Sequence, residues 1–260
     1  MTKHISFSQI KNWVKCPFYH KLVNIDKVAG AFSGNIYTAF GTAMHSTIEK
    51  YLLKEVNESE QYDFFQNDFD EQLSTLDTDV IYENTVIDSF NSQGVALIDN
   101  YYSVLADYFG PDMEIVSCEE QIYDDITEFV LDDFKFKGYI DLVVKVGDMY
   151  HILDWKTCSW GWDYKRKSDI MTTYQLVFYK HYYGLKHDID PKNIKCHFGL
   201  LKRTAKSKNV EIFEVTSGPK RTKNALKLLN KALHNIHKKV YIKNKSSCAK
   251  CELYKTKWCP

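Results

Sequence analysis

The chain has 260 residues, of which 44% are apolar, 34 are Lys or Arg and 34 are Asp or Glu. That balance belongs to a soluble globular protein and excludes disordered, collagen-like and disulfide-stapled secreted classes; with no apolar run of bilayer length, no membrane partner is expected. The zero net charge hides opposed halves: residues 1–154 hold 10 Lys+Arg against 27 Asp+Glu, and residues 155–260 hold 24 against 7.

In chain order, Ser6 or Ser8 is placed to cap a helix carrying Ile10, Trp13 and Val14, which Cys16-Pro17 breaks; residues 18–23 start another. The first residues lack the apolar stretch of a signal peptide, so a cytoplasmic location is expected, in a bacterium or encoded by a phage in a bacterial host. An amphipathic helix is predicted over 36–55, and further helices over 61–75 and 88–109. Strands are predicted at 114–123, 128–137, 138–146 and 149–156, a helix over 168–185, strands at 193–201 and 209–215, and a basic helix over 219–240 before a cysteine-rich tail. There is no internal repeat, no long linker and no Gly-x4-Gly-Lys-Ser/Thr loop of an NTPase motor.

The chemistry concentrates in one predicted hairpin. Ile140, Leu142, Val144 and Val146 alternate with Tyr139, Asp141, Val143 and Lys145, which reads as a strand with one face on a core. Gly147-Asp148 then signals a tight turn. With a two-residue loop Val146 pairs with Met149, and Asp141 falls opposite Asp154, their Cβ atoms about 4.5–5.5 Å apart. Lys156 shares that face and Trp155 points to the core. Facing acids destabilise a sheet unless a cation lies between them, and a divalent metal accepts both carboxylates. The alternative is a solvated strand face with two unrelated aspartates.

His45 and Glu49 share a helical face with Gly41, one turn earlier. A glycine there costs about 1 kcal/mol relative to alanine, a cost explained if the helix approaches the sheet closely. That approach carries His45 toward Asp141 and Asp154; read alone, His45 is an ordinary surface or satisfied core histidine. Together these residues describe metal-assisted hydrolysis: His45, Asp141 and Asp154 as ligands, Lys156 as the cation that stabilises phosphoryl charge or orients the attacking water, and Gln175 with Tyr179 positioning the substrate. A nitrogen ligand beside carboxylates favours Mn²⁺ at least as much as Mg²⁺. The basic half adds a footprint for a polyanion, although the two halves also neutralise each other in a fold.

Seven cysteines in a cytoplasmic chain are not a disulfide framework. Cys248, Cys251 and Cys259 crowd the end, and Cys16 is the best fourth partner, because Pro17 follows it as Pro260 follows Cys259. Cys118, Cys158 and Cys196 read as core residues.

In this order, Gly41-x3-His45-x3-Glu49, Gly138-x-Ile140-Asp141, Asp154-Trp155-Lys156-Thr157 and Gln175-x3-Tyr179 resemble the RecB-type branch of the PD-(D/E)xK nucleases. Ser6-x-Ser8-x7-Cys16-Pro17-x-Tyr19 and the terminal cysteine triad resemble its iron–sulfur subgroup, which includes Cas4, AddB and Dna2. The resemblance runs from Ser6 to Pro260. It implies an α/β restriction-endonuclease-like fold, a mixed-sheet core flanked by helices, as one nuclease domain over residues 1–260. It also implies metal ligation by His45, Asp141, Asp154 and the Trp155 carbonyl, and Lys156 as catalytic lysine. A 4Fe–4S cluster on Cys16, Cys248, Cys251 and Cys259 would join segments 6–24 and 241–260; structural zinc is the alternative. The implied substrate is DNA, single-stranded or with free ends, which an exonuclease would process in recombination or repair. A helicase, recombinase or Cas1-like protein is the implied kind of partner. The competing reading is a DNA-end-binding adaptor subunit with little cleavage of its own. Trp155 departs from the tyrosine or phenylalanine of the pattern, and the gap from Cys251 to Cys259 is slightly long.

Overall fold

A computed structural model describes residues 3–29, 31, 34–76, 82–127 and 134–260. β1 (Lys3–Ser6) runs straight into α1 (Phe7–Lys15), where the Ser6 hydroxyl accepts the Gln9 N–H at 3.3 Å as the helix cap. Pro17 opens α2 (Pro17–His20), a position where its missing N–H is no loss. A π-helical turn, Lys21–Ile25, ends this segment. Then come α3 (Ile36–Leu52), α4 (Gln61–Ser74), α5 (Asn84–Phe109), β2 (Glu114–Asp125), β3 (Phe134–Val146) and β4 (Met149–Cys158). α6 (Tyr164–Ser168), α7 (Ile170–His187), β5 (Ile194–Lys202), β6 (Val210–Val215) and α8 (Pro219–His237) follow.

The described strands form one mixed sheet in the order β1-β3-β4-β5-β6, with β2 also paired to β3. β1–β3 and β4–β5 are parallel and the other pairs antiparallel. Helices cover both faces. Ile10 of α1, Phe178 and Tyr182 of α7 and Leu229 of α8 pack with Phe136, Ile152 and Phe198 in one core. Phe40 of α3, Phe65 and Phe69 of α4 and Leu97 of α5 pack with Leu142, Leu153 and Trp155 in the other. This is the mixed-sheet α/β arrangement expected from the sequence.

Two expectations change. Residues 138–146 and the later part of 128–137 form one strand, β3, while 128–133 lie outside the described residues. β1 was not foreseen, because four residues are too few to show a period.

On the α5 side of the sheet a polar chain runs inward from the exposed Tyr108 to the buried His197. The Tyr108 hydroxyl is 3.2 Å from His197 Nδ1, and His197 Nε2 is 3.0 Å from His151 Nδ1. With the His197 proton on Nε2, each link has one donor and one acceptor. Burial, then the neighbouring His151 and Lys195, lower the His197 pKa to about 3. Glu214 is its partner in the β5–β6 ladder. Unfolded His197 takes a proton below about pH 6.5, whereas folded His197 refuses it until about pH 3. Stability from this group is therefore complete above pH 6.5 and lost as pH falls through that window, by up to about 1.4 kcal/mol per pH unit. Urea unfolding of wild type and His197→Gln between pH 7 and 4 should show the difference in stability moving in the variant's favour as pH falls. A pH-independent difference would show that His197 is not the group refusing the proton.

Candidate active site

β2 occupies one edge of β3 from Lys135 to Lys145, so β4 and β1 share the other, β4 along residues 142–146 and β1 along 134–137. Residues 138–141 lie in the fork between them. The hairpin register is the expected one, Val146 on Met149 and Leu142 on Leu153. The described ladder stops one step short of Asp141, whose Oδ2 instead accepts the Trp155 N–H at 2.7 Å. The side chain thus ties the two strands together where the backbones part.

The alternation expected for β3 does not run through this point. Ile140 joins Phe136 in the α7-side core, whereas Leu142 and Val144 join the α3-side core. The slip coincides with an irregularity in the neighbouring strand. Cys118 pairs with Leu142 and Glu120 with Ile140, which sets Glu119 opposite Asp141. Glu119 has φ +46°, left-handed backbone that is uncommon for a residue with a side chain and that recurs where function requires it.

Glu119 was not among the residues singled out from the sequence. Ligand atoms of His45, Glu119 and Asp141 all lie within 4.8 Å of one another. Two ligands on opposite sides of a Mg²⁺ ion are about 4.2 Å apart, so this group is nearly at coordination spacing. His45 Nδ1 is 3.4 Å from Asp141 Oδ2. Burial, then the Lys156 charge, lower the His45 pKa to about 4, which keeps the imidazole in the neutral form that ligates metals. A hydrogen bond to the Trp155 backbone acts against that shift. The Trp155 backbone therefore meets both His45 and Asp141.

Asp154 is fully buried. Among the described residues its Oδ1 has no hydrogen-bond partner, and its Oδ2 meets the Lys156 ammonium at 2.6 Å. Burial pushes the carboxyls up, Asp141 and Asp154 to about 6 and Glu119 to about 7. The Lys156 pKa is raised, because Asp154, Asp141 and Glu119 together outweigh its burial. Asp154 is not among the three clustered ligand atoms, but its charge acts on His45 and Asp141, and a hard divalent cation would answer both its orphaned oxygen and the cluster.

The supporting elements explain the positions. At Gly41 an added Cβ would lie 3.3 Å from Thr157 Oγ1, so α3 does lean on β4 beside Lys156. At Gly138 it would lie 2.7 Å from Tyr179 Cε1, so the Tyr179 ring covers the fork. Gln175 Nε2 donates to the Tyr179 hydroxyl at 3.0 Å. Burial, then the charge of Asp154, raise the Tyr179 pKa, so that hydroxyl keeps its proton. Trp155 is buried against Tyr101, facing the core as expected, and the bare Cα of Gly199 leaves room for its indole.

Residues 4–260 match the family described as the PD-(D/E)XK nuclease superfamily. The chain belongs to that superfamily. No curated protein matches it by sequence. Among solved structures, this PD-(D/E)XK chain is similar to a protein of Eubacterium rectale named "Putative exonuclease", with TM-score 0.60 and 13% identity over 98% of this chain and 89% of that one. It is also similar to a protein named SSO0001, with TM-score 0.45 and 12% identity over 96% and 84%, a likeness too low to argue from.

A second constellation of this PD-(D/E)XK chain lies away from the fork. Cys16, Cys248, Cys251 and Cys259 line one cavity of about 20 Å³, with Tyr19 and Leu253. All seven cysteines are free thiols. The Asn244 N–H donates to Cys16 Sγ at 3.2 Å and Asn244 Nδ2 to the Lys15 carbonyl at 2.9 Å, while the Tyr19 hydroxyl bonds Glu252. The two ends of the chain are thereby clipped together. Four thiols facing one cavity fit a thiolate-ligated metal centre.

Proposed function

We propose that the chain is a divalent-metal-dependent deoxyribonuclease, acting as an exonuclease on single-stranded DNA ends. The observation that carries this reading is the orphaned, buried Asp154 carboxylate beside the His45–Glu119–Asp141 group, with the charged Lys156 alongside. Membership of a nuclease superfamily and the name of the Eubacterium rectale neighbour support it. His45, Glu119, Asp141, Asp154 and the Trp155 carbonyl would hold Mn²⁺ or Mg²⁺, which when bound lowers the pKa of a water and polarises the phosphoryl oxygen. Lys156, held charged by the carboxylates, faces the negative charge that grows on the phosphate. Tyr179 and Gln175 supply a donor pair above the fork to orient the backbone of the strand.

At the cysteine site we propose a 4Fe–4S cluster on Cys16, Cys248, Cys251 and Cys259, within a single nuclease domain. Thiolates around zinc at about 2.3 Å stand about 3.8 Å apart. Zinc on the same four thiolates is the alternative, and the iron and zinc content of the purified protein decides between them.

The test is cleavage of 5′- and 3′-labelled single strands across Mn²⁺, Mg²⁺ and Ca²⁺, with Lys156→Ala as control. Cleavage in Mn²⁺ that Lys156→Ala removes is expected. Tight binding without cleavage in any metal would replace this reading with the adaptor one.

A further inference from the structure

The loop that follows β4 leaves two large aromatic side chains in solvent. Trp160 is 76% exposed and Tyr164 86% exposed, the highest values among the exposed large apolar and aromatic residues described. Hydration of that much aromatic surface is unfavourable, and exposed apolar surface rimmed by charge marks a contact site.

The loop presenting them is pinned. The Arg203 N–H donates to the Cys158 carbonyl at 2.8 Å, and the Thr204 N–H and hydroxyl both reach the Ser159 carbonyl, at 3.1 and 2.8 Å. Trp162, between the two exposed rings in sequence, does the opposite of its neighbours. It is buried, edge-on to Phe198 at 5.0 Å, with the Arg166 guanidinium 4.7 Å above its ring. Asp163 Oδ1 accepts the Arg166 N–H at 2.8 Å and fixes the turn into α6. Trp160 and Tyr164 are thus held outward on a rigid frame rather than left on a loose tip.

Charge and position then say what the frame receives. Residues 159–169 and the adjoining turn 202–208 carry seven Lys or Arg against two aspartates. Both aspartates, Asp163 and Asp169, are already capping α6 and α7. Lys165, Arg166, Lys206 and Lys208 are exposed. The loop starts three residues after Lys156, about 10 Å at strand spacing. On α7, Thr172, Gln175 and Tyr179 fall on one helical face. Thr172 lines an open groove of about 570 Å³ together with Gly161, Lys165, Arg166 and the two capping aspartates, Asp163 and Asp169. One face of α7 thus carries Gln175 and Tyr179 at the fork and Thr172 at the groove beside the aromatic loop.

We propose that Trp160 and Tyr164 are a base-stacking platform for single-stranded DNA, a few nucleotides away from the scissile phosphate. The inference rests on the reading of this chain as a DNA nuclease. Stacking on an aromatic face requires unpaired bases, because in a duplex both faces are already covered. The lysines and arginines around the rings take the phosphates, and the platform makes the site prefer single strands.

Binding without cleavage separates this claim from the nuclease reading. Fluorescence anisotropy of a labelled oligo-dT and of a blunt duplex, in Ca²⁺ or EDTA, is measured for wild type, Trp160→Ala, Trp160→Phe and Tyr164→Ala. Loss of one stacked base corresponds to about a 5- to 150-fold weaker Kd for oligo-dT. We expect that loss in both alanine variants, a much smaller loss in Trp160→Phe, and little change for the duplex. Melting temperatures check that each variant is folded. Unchanged oligo-dT affinity in both alanine variants, or equal losses on duplex and single strand, overturns the platform even if the enzyme cleaves DNA. A wild type that binds oligo-dT through Trp160 and cuts nothing keeps the platform and removes the nuclease.

Discussion

Asp154→Asn should lower Mn²⁺-dependent cleavage of single-stranded DNA by at least about 10²–10³-fold while leaving a folded protein. The substitution keeps the shape of the side chain and removes its charge. In the wild type that charge is buried, its Oδ1 lacks a partner, and burial has pushed its pKa to about 6. Without metal the buried carboxylate is a cost that its ion pair with Lys156 offsets in part, and Lys156 keeps Asp141, Glu119 and solvent in the variant, so the amide should melt in EDTA within a few degrees of wild type. What it should lose is the rise in melting temperature that saturating Mn²⁺ gives the wild type, since a ligand that binds only the folded state stabilises by mass action. Glu119→Gln should share that loss, because Glu119 belongs to the same group of ligand atoms. Cleavage by Asp154→Asn at the wild-type rate would falsify the site assignment. An unchanged Mn²⁺-induced shift in Glu119→Gln would remove Glu119 from the ligand set and leave the other residues standing.

The contrast between Asp154 and Glu119 shows what was legible in the sequence. The β3–β4 register followed from two residues, Gly147 and Asp148, because a short turn leaves one way to pair the strands. Gly41 and Gly138 were readable for a similar reason: each glycine marks a place where another element comes too close for a Cβ. Glu119 had no such marker. It reaches Asp141 across the β2–β3 pair, whose register no two-residue turn signal in the sequence announces. Its side chain enters the site through a left-handed backbone at φ +46°, which no pattern of apolar residues encodes. At the same point Ile140 lies in the opposite core from Leu142, which defeats the period-two reading of β3. The fork, too, depends on β1 taking the second half of the β3 edge, and four residues carry no periodicity. Local chemistry was thus readable wherever chain neighbours specified it, and hidden where a strained residue or a distant short strand did.

Cys251→Ser should bleach the protein and loosen its ends. In protein purified without oxygen, the wild type is expected to be brown, absorbing near 400 nm, with bound iron; the variant should lose most of both. The mechanical consequence follows from sequence separation. Cys16 and Cys251 close a loop of more than 200 residues, and by the chain-entropy relation for a covalent cross-link such a closure is worth up to about 5 kcal/mol. That figure is an upper bound here, since Asn244, Tyr19 and Glu252 also hold the ends together. Limited proteolysis of the variant should therefore cut first within residues 241–260, before the sheet is touched, and the melting transition should fall by several degrees. Cys196→Ala is the matched control: its thiol is buried in the α7-side core and bonds the Leu176 carbonyl, far from the clip in sequence. It should cost stability without changing colour or iron. Colourless wild type carrying one zinc per chain would replace the cluster by a Cys₄ zinc site and keep the clip. Full colour and unaltered proteolysis in Cys251→Ser would show that this cysteine ligates nothing, and the joining of the two ends would then rest on the hydrogen bonds alone.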